Sequence, residues 1–162
     1  MAATLEEELA RVFREKGLTL ATAESCTGGL LAGRITDIAG SSDYMRGGVV
    51  SYANEVKEAL LGVESDALAQ HGAVSDVVAR QMARGVRERL GTDVGISITG
   101  VAGPGGGTSD KPVGLVWIGL SDAQGAHAER FHWQGSRAEN RALSVEAALK
   151  MLVGWAQQQA QP

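Results

Sequence analysis

The residues best suited to covalent chemistry are Glu24-Ser25-Cys26-Thr27-Gly28-Gly29, between a strand-like run at 18–23 and an apolar helical pattern that begins at Leu30. In open α/β sheets ligands collect at the carboxyl ends of strands, where helix N-termini offer free N–H groups. Gly28 and Gly29 leave such groups accessible, and a hydroxyl at Ser25 can attack an acyl carbon while they stabilise the oxyanion. Ser25 or Thr27 serves as readily as a plain helix cap. Cys26 is a rival nucleophile if the helix end lowers its pKa, although a lone cysteine is more often a small buried hydrophobe.

A nucleophilic serine needs a base. No Gly-x-Ser-x-Gly elbow occurs, and no motif links His71, His127 or His132 to Ser25. The other option is lysine. In Ser51-Tyr52-Ala53-Asn54-Glu55-Val56-Lys57 the chain leaves a strand and enters a helix. With Asn54 as N-cap, Lys57 falls in the first turn, where the helix dipole disfavours a cation. Burial lowers its pKa further, and a neutral amine serves as a base, with Tyr52 able to share the proton. The plainer alternative, a solvated Lys57 and a core Tyr52, is the one that spacing alone favours.

The loop at 102–112 is rich in glycine, and Gly103, Gly105, Gly106 and Thr108 are expected to face a ligand. It lacks the Gly-Lys-Ser/Thr ending of a triphosphate cradle. No metal-ligand spacing is present, so neither metal nor cofactor is expected.

These residues must be positioned by one domain, 1–162, with an apolar content of 44% and ordinary charge content. Helices are expected at 4–16, from Leu30 to near Gly40, from Asn54 to Leu61, at 64–71, at 76–90 behind the cap Ser75, and from about Arg137 to Gln158. Strands are expected at 18–23, 48–52 and 93–101, with a hairpin of 113–121 and 126–133. That order predicts an α/β fold, a three-layer α/β/α sandwich with a mixed, mostly parallel sheet. The 22 glycines and scarce aromatics leave close packing to small residues. A net charge of −4 without a basic cluster argues against direct nucleic-acid binding. The single cysteine, the acidic amphipathic start and the lack of a long apolar run predict a cytoplasmic protein with no membrane contact. A short apolar-rich chain of this kind suits a homodimer.

Taken together, several blocks resemble the C-terminal domain family of the competence/damage-inducible protein CinA. They are Ala23-Glu24-Ser25-Cys26-Thr27-Gly28-Gly29, Ile38-Ala39-Gly40-Ser41-Ser42, residues 48–57, His71-Gly72-Ala73-Val74-Ser75, residues 99–108 and Lys111-Pro112-Val113-Gly114. The resemblance implies a sandwich like that of anticodon-binding domains. It also implies hydrolysis of the carboxamide of nicotinamide mononucleotide, with Ser25, Tyr52 and Lys57 catalytic. A phosphate-bearing substrate needs donors, and Arg137, Arg141 and the N–H groups of Thr27, Gly28 and Gly29 are the candidates. The nucleotide-pyrophosphatase-like domain of larger relatives has no counterpart, so its metal-dependent activity is not expected. A non-catalytic nucleotide- or protein-binding module and an amidase for another small amide are the alternative readings.

Overall fold

The computed structural model describes residues 2–162. Helix α1 (Leu5–Lys16) starts at a Thr4–Glu7 capping box and ends at Gly17 in the left-handed conformation. Strand β1 (Leu20–Glu24), helix α2 (Leu30–Thr36) and strand β2 (Met45–Val50) follow, with a short 3₁₀ turn at Ser41–Asp43. Helices α3 (Asn54–Leu61), α4 (Ser65–His71) and α5 (Asp76–Leu90) lead into strand β3 (Val94–Gly100). The hairpin β4 (Leu115–Asp122) and β5 (Gly125–His132) precedes the long helix α6 (Arg137–Gln157).

The five strands form one sheet in the order β2-β1-β3-β4-β5. Strand β1 pairs in parallel with β2 and β3, whereas β3–β4 and β4–β5 are antiparallel. The pairings therefore divide evenly, although β4 alone runs against the other four. The period-2 alternation of strands separates two cores. Leu20, Val94, Ile96, Ile98, Val116 and Ile118 pack with α1, α2 and α6 on one face. Ala21 and Ala23 pack with Leu61, Val78, Met82 and Val86 on the other. The result is the expected three-layer sandwich.

Small residues bring α5 down onto the sheet. A Cβ built on Gly95 would lie 2.3 Å from the Ala83 carbonyl, and one on Gly119 would lie 2.3 Å from that of Ala79. Between them Ser97 Oγ donates to the Ala79 carbonyl at 2.6 Å. Gly85 lets α5 cross α3 in the same way, because a Cβ there would stand 1.9 Å from the Leu61 carbonyl.

Two local expectations shift. Strand β2 begins at Met45 rather than Gly48, because Leu20 pairs with Met45 before the register slips to Ala21–Gly47. Asn54 does not cap α3: the cap is Ala53, in extended conformation and without a side-chain bond, so Asn54 enters the first turn. Among the described residues no helix is long and apolar enough to cross a membrane.

Close packing makes opposite outcomes expected at two helical glycines. Gly85→Ala should lower unfolding free energy by about 1–3 kcal/mol, the usual overpacking cost. Gly33→Ala, exposed with nothing within 4 Å of its Cβ, should raise it by about 0.5–1 kcal/mol. Urea denaturation of both variants measures the contrast.

Candidate active site

Because β1, β2 and β3 run in parallel, their carboxyl ends lie along one edge of the sheet, and the chemistry-bearing segments meet there. Ser25 directly follows β1, with its N–H bonded to the Ile98 carbonyl of β3 at 2.9 Å. Ser51 follows β2 and gives its N–H to the Glu24 carbonyl at 2.8 Å, which brings the start of α3 beside Ser25. Lys57, in the first turn of α3, is only 1% exposed. Its Nζ stands 3.1 Å from Ser25 Oγ, and it donates to the carbonyls of Ser51 at 2.7 Å and Tyr52 at 3.1 Å. Burial holds the Lys57 amine below its ordinary pKa, with Cys26 a smaller influence in the opposite direction. A neutral amine has two N–H bonds and one lone pair. Two carbonyls take the N–H bonds, so the lone pair is left for the serine hydroxyl.

The cavity over this pair has a volume of about 190 Å³ and includes Ser25, Cys26, Tyr52, Asn54, Lys57 and Arg137 in its lining. Thr99 and Gly100 at the end of β3 also line it, as do Ala73 and Val74, whose loop is held by Thr99 Oγ1 donating to the Ala73 carbonyl at 2.9 Å. Among the described residues no carboxylate belongs to the lining, so the Arg137 guanidinium gives it a positive character within an acidic chain. A larger cavity of about 560 Å³ between β5 and α6 is lined by Phe131, Trp133, Met151 and Trp155 among others. It includes no serine and no serine–lysine pair, so the smaller cavity is the candidate site.

The other candidates divide. Cys26 lines the cavity, but burial pushes its thiol up to about 11, which leaves no thiolate near neutral pH. Ser25 and Thr27 do not cap α2: its cap is Gly29, without a side-chain bond. Thr27 Oγ1 instead donates to Glu24 Oε1 at 2.6 Å, and the same carboxylate accepts the Leu31 and Ala32 N–H groups at 2.9 and 3.1 Å. Glu24, 1% exposed at the end of β1, is thus the anchor of the serine turn. The signal of that role in the sequence is a carboxylate that closes a buried strand.

Tyr52 offers its carbonyl, not its phenol, to Lys57. The ring is 62% exposed, and its hydroxyl lies 3.3 Å from Arg137 Nη2. Arg137 also donates to the Gly103 carbonyl at 2.8 Å. Arg141 is placed differently from the expectation of a substrate ligand. It is outside the lining, and its Nε and Nη2 donate to the carbonyls of Cys26 at 3.1 Å and Thr27 at 3.2 Å. Thr27, Gly28, Gly29, Gly103, Gly105, Gly106 and Thr108 are likewise not part of the lining, which takes Gly100 and Ala102 from the glycine-rich segment. Thr108 builds the loop's own turn, exchanging bonds with Lys111. Asn54, considered only as a cap, is in the wall. None of the three histidines lines the cavity, and no three His, Cys, Asp or Glu side chains cluster as metal ligands among the described residues.

The family model described as the CinA C-terminal domain matches residues 2–155. A CinA-like protein of Rippkaea orientalis is 56% identical over 152 residues, which cover 92% of this chain and 36% of that protein. One from Salinibacter ruber is 54% identical over 147 residues, with 91% and 36% covered. The chain thus spans about a third, 36%, of the length of these curated relatives. Among solved structures, the competence/damage-inducible protein CihA of Agrobacterium tumefaciens aligns with a TM-score of 0.90 at 40% identity, covering 98% of this chain and 100% of its own. The CinA superfamily protein KP700603 of Klebsiella pneumoniae gives 0.92 at 33% identity, with 96% and 97% covered.

A depressed lysine leaves a signature in stability. Between its lowered folded pKa and about 10.4 in the unfolded chain, the unfolded state binds the proton more tightly, so folding stability rises with pH across that window. Relative to Lys57→Met, the native protein should therefore gain stability from neutral pH towards pH 10 in urea unfolding. A pH-independent difference would place the amine at its ordinary pKa.

Proposed function

The chain belongs to the CinA C-terminal domain family, and on that premise we propose that it is a serine–lysine amidohydrolase. Its substrate in this reading is nicotinamide mononucleotide, hydrolysed at the carboxamide to nicotinate mononucleotide and ammonia. The observation that carries this reading is the buried Lys57 Nζ at 3.1 Å from Ser25 Oγ, with its N–H bonds taken by backbone carbonyls.

The steps follow from that contact. Ser25 Oγ attacks the carboxamide carbon while its proton passes to the neutral Lys57 amine. The backbone N–H of Cys26, the residue of the turn that lines the cavity directly after Ser25, is the donor for the oxyanion. The Lys57 ammonium then protonates the departing nitrogen, ammonia leaves, and an ester to Ser25 remains. Lys57, neutral again, takes a proton from water as the water attacks the ester. Returning that proton to Oγ restores the serine and releases the carboxylic acid, which gives up its remaining proton to solvent as the carboxylate. A desolvated lysine suits this cycle because burial makes its amine easier to deprotonate and, once charged, a better acid.

Arg137 and Tyr52 are assigned to binding. The positive cavity favours an anionic amide, and the Arg137 guanidinium at its wall suits the phosphate. The exposed Tyr52 ring beside it offers a face on which a cationic pyridinium ring can stack. Its phenol bonds with Arg137 rather than Lys57, which favours binding over proton transfer for this side chain.

Ser25→Ala and Lys57→Ala should each reduce ammonia release from the mononucleotide by about 10²–10⁴-fold while folding is retained. Arg137→Ala should raise KM for the mononucleotide by about 10–100-fold, the worth of a charge-assisted hydrogen bond, and leave the riboside unaffected. Full turnover in Ser25→Ala would refute the serine mechanism. Binding of the mononucleotide without turnover by the native protein would favour a non-catalytic module.

A further inference from the structure

We infer that Arg141 is a positioning residue for the nucleophile, a clamp on the backbone of the serine turn rather than a ligand for the substrate. The inference rests on the serine–lysine reading above.

Three features carry it. First, Arg141 comes from α6 and spends its fork on two successive carbonyls, those of Cys26 at 3.1 Å and Thr27 at 3.2 Å. These are the two residues directly after Ser25. Second, the approach is built for: a Cβ on Gly28 would stand 3.3 Å from Arg141 Nη2, and Gly28 adopts a φ of +60° that side chains rarely take. Third, the other side of the turn is held by the Glu24 carboxylate through the Thr27 hydroxyl and the Leu31 and Ala32 N–H groups. The turn therefore lies between a buried anion and a part-buried cation, with each attached through hydrogen bonds.

The consequence for Ser25 is geometric. Its own backbone is fixed at one end by the N–H bond to Ile98 and at the other by the Gly28 N–H donating to its carbonyl at 3.1 Å. Peptide planes are rigid, so a Cys26 carbonyl held towards Arg141 turns the Thr27 N–H to the opposite side. Arg141 thus sets the direction of that peptide unit, and through it the approach of Oγ to the Lys57 amine. A lysine at 141 would keep the charge but could not bridge both carbonyls with one planar fork.

The test separates clamp from ligand. In Arg141→Lys, kcat should fall by about 10²-fold, the scale of a misplaced reacting group, with KM near the native value and the acid limb of the pH profile, where Lys57 takes up its proton, in place. The loss should be equal for nicotinamide mononucleotide and for the riboside that lacks its phosphate. Gly28→Ala, which presses on the same guanidinium, should show the same pattern. A rise in KM for the mononucleotide alone would make Arg141 a phosphate ligand, and an unchanged kcat would show that the fork is dispensable; either overturns the inference. A second readout does not depend on the amide. A fluorophosphonate forms a P–O bond to Ser25 Oγ as fluoride leaves, and intact-mass spectrometry gives the rate. Arg141→Lys should label about 10²-fold more slowly than the native protein, with equal melting temperatures. A native protein that labels but spares the mononucleotide would remove the substrate assignment and leave the clamp measurable, with equal labelling rates overturning it. A native protein that does not label at Ser25 would remove the serine–lysine reading and this inference with it.

Discussion

A lysine amine withdrawn from water has lost the solvent that stabilises its charge, and it can remain in a fold only where the protein replaces that solvent or the amine gives up its proton. Lys57 is in that position at 1% exposure, with two carbonyls and one hydroxyl as its surroundings and its pKa held down by burial. The carbonyls belong to Ser51 and Tyr52, where the chain leaves β2, and the hydroxyl belongs to Ser25, where it leaves β1. The three groups are near one another only because the two strands are parallel and adjacent. The rest of the site is arranged around keeping this one amine buried, bonded and free of a carboxylate that would fix its charge.

Close approach of backbone is what makes that arrangement compact. The sheet presents Gly95, Ser97 and Gly119 to α5, and α5 presents Gly85 to the end of α3. With α5 seated so closely, Leu61 at the end of α3 packs into the second core, which fixes the helix carrying Lys57. The many glycines and few aromatics of the composition thus have a structural counterpart, since bulkier residues would separate the layers on which the serine–lysine distance depends.

Electrostatics in the site is local rather than global. The chain carries a net charge of −4, yet Lys57 and Arg137 face the cavity and no carboxylate lines it among the described residues. The carboxylate nearest in sequence to Ser25, that of Glu24, is spent on the serine turn, where its three accepted hydrogen bonds make its burial tolerable. One acid and one arginine therefore shape the turn from opposite sides, and a second arginine, one helical turn earlier on α6, faces the ligand space.

What was legible in the sequence was local. Apolar periodicity located every helix and strand within a few residues, and the cap Ser75 follows from helix-end chemistry that needs no tertiary partner. The motif blocks singled out Ser25, Tyr52 and Lys57 through their resemblance to a family, whereas spacing alone had favoured a solvated lysine. Burial, pairing and aim were decided by the tertiary structure. Arg137 and Arg141 are four residues apart on one helix, and periodicity could not tell the one that lines the cavity from the one that grips the serine turn, because their partners are 34 and about 115 positions away. Asn54 had the residue type of a cap, but the chain turns from extended to helical at Ala53, one residue earlier, which leaves Asn54 inside the helix. The sequence by itself determined the elements and the inventory of reactive groups, since both depend on neighbours a few residues away. Only the tertiary structure decided that an amine and a hydroxyl 32 positions apart share a hydrogen bond, because that contact exists only once parallel strands place their ends side by side.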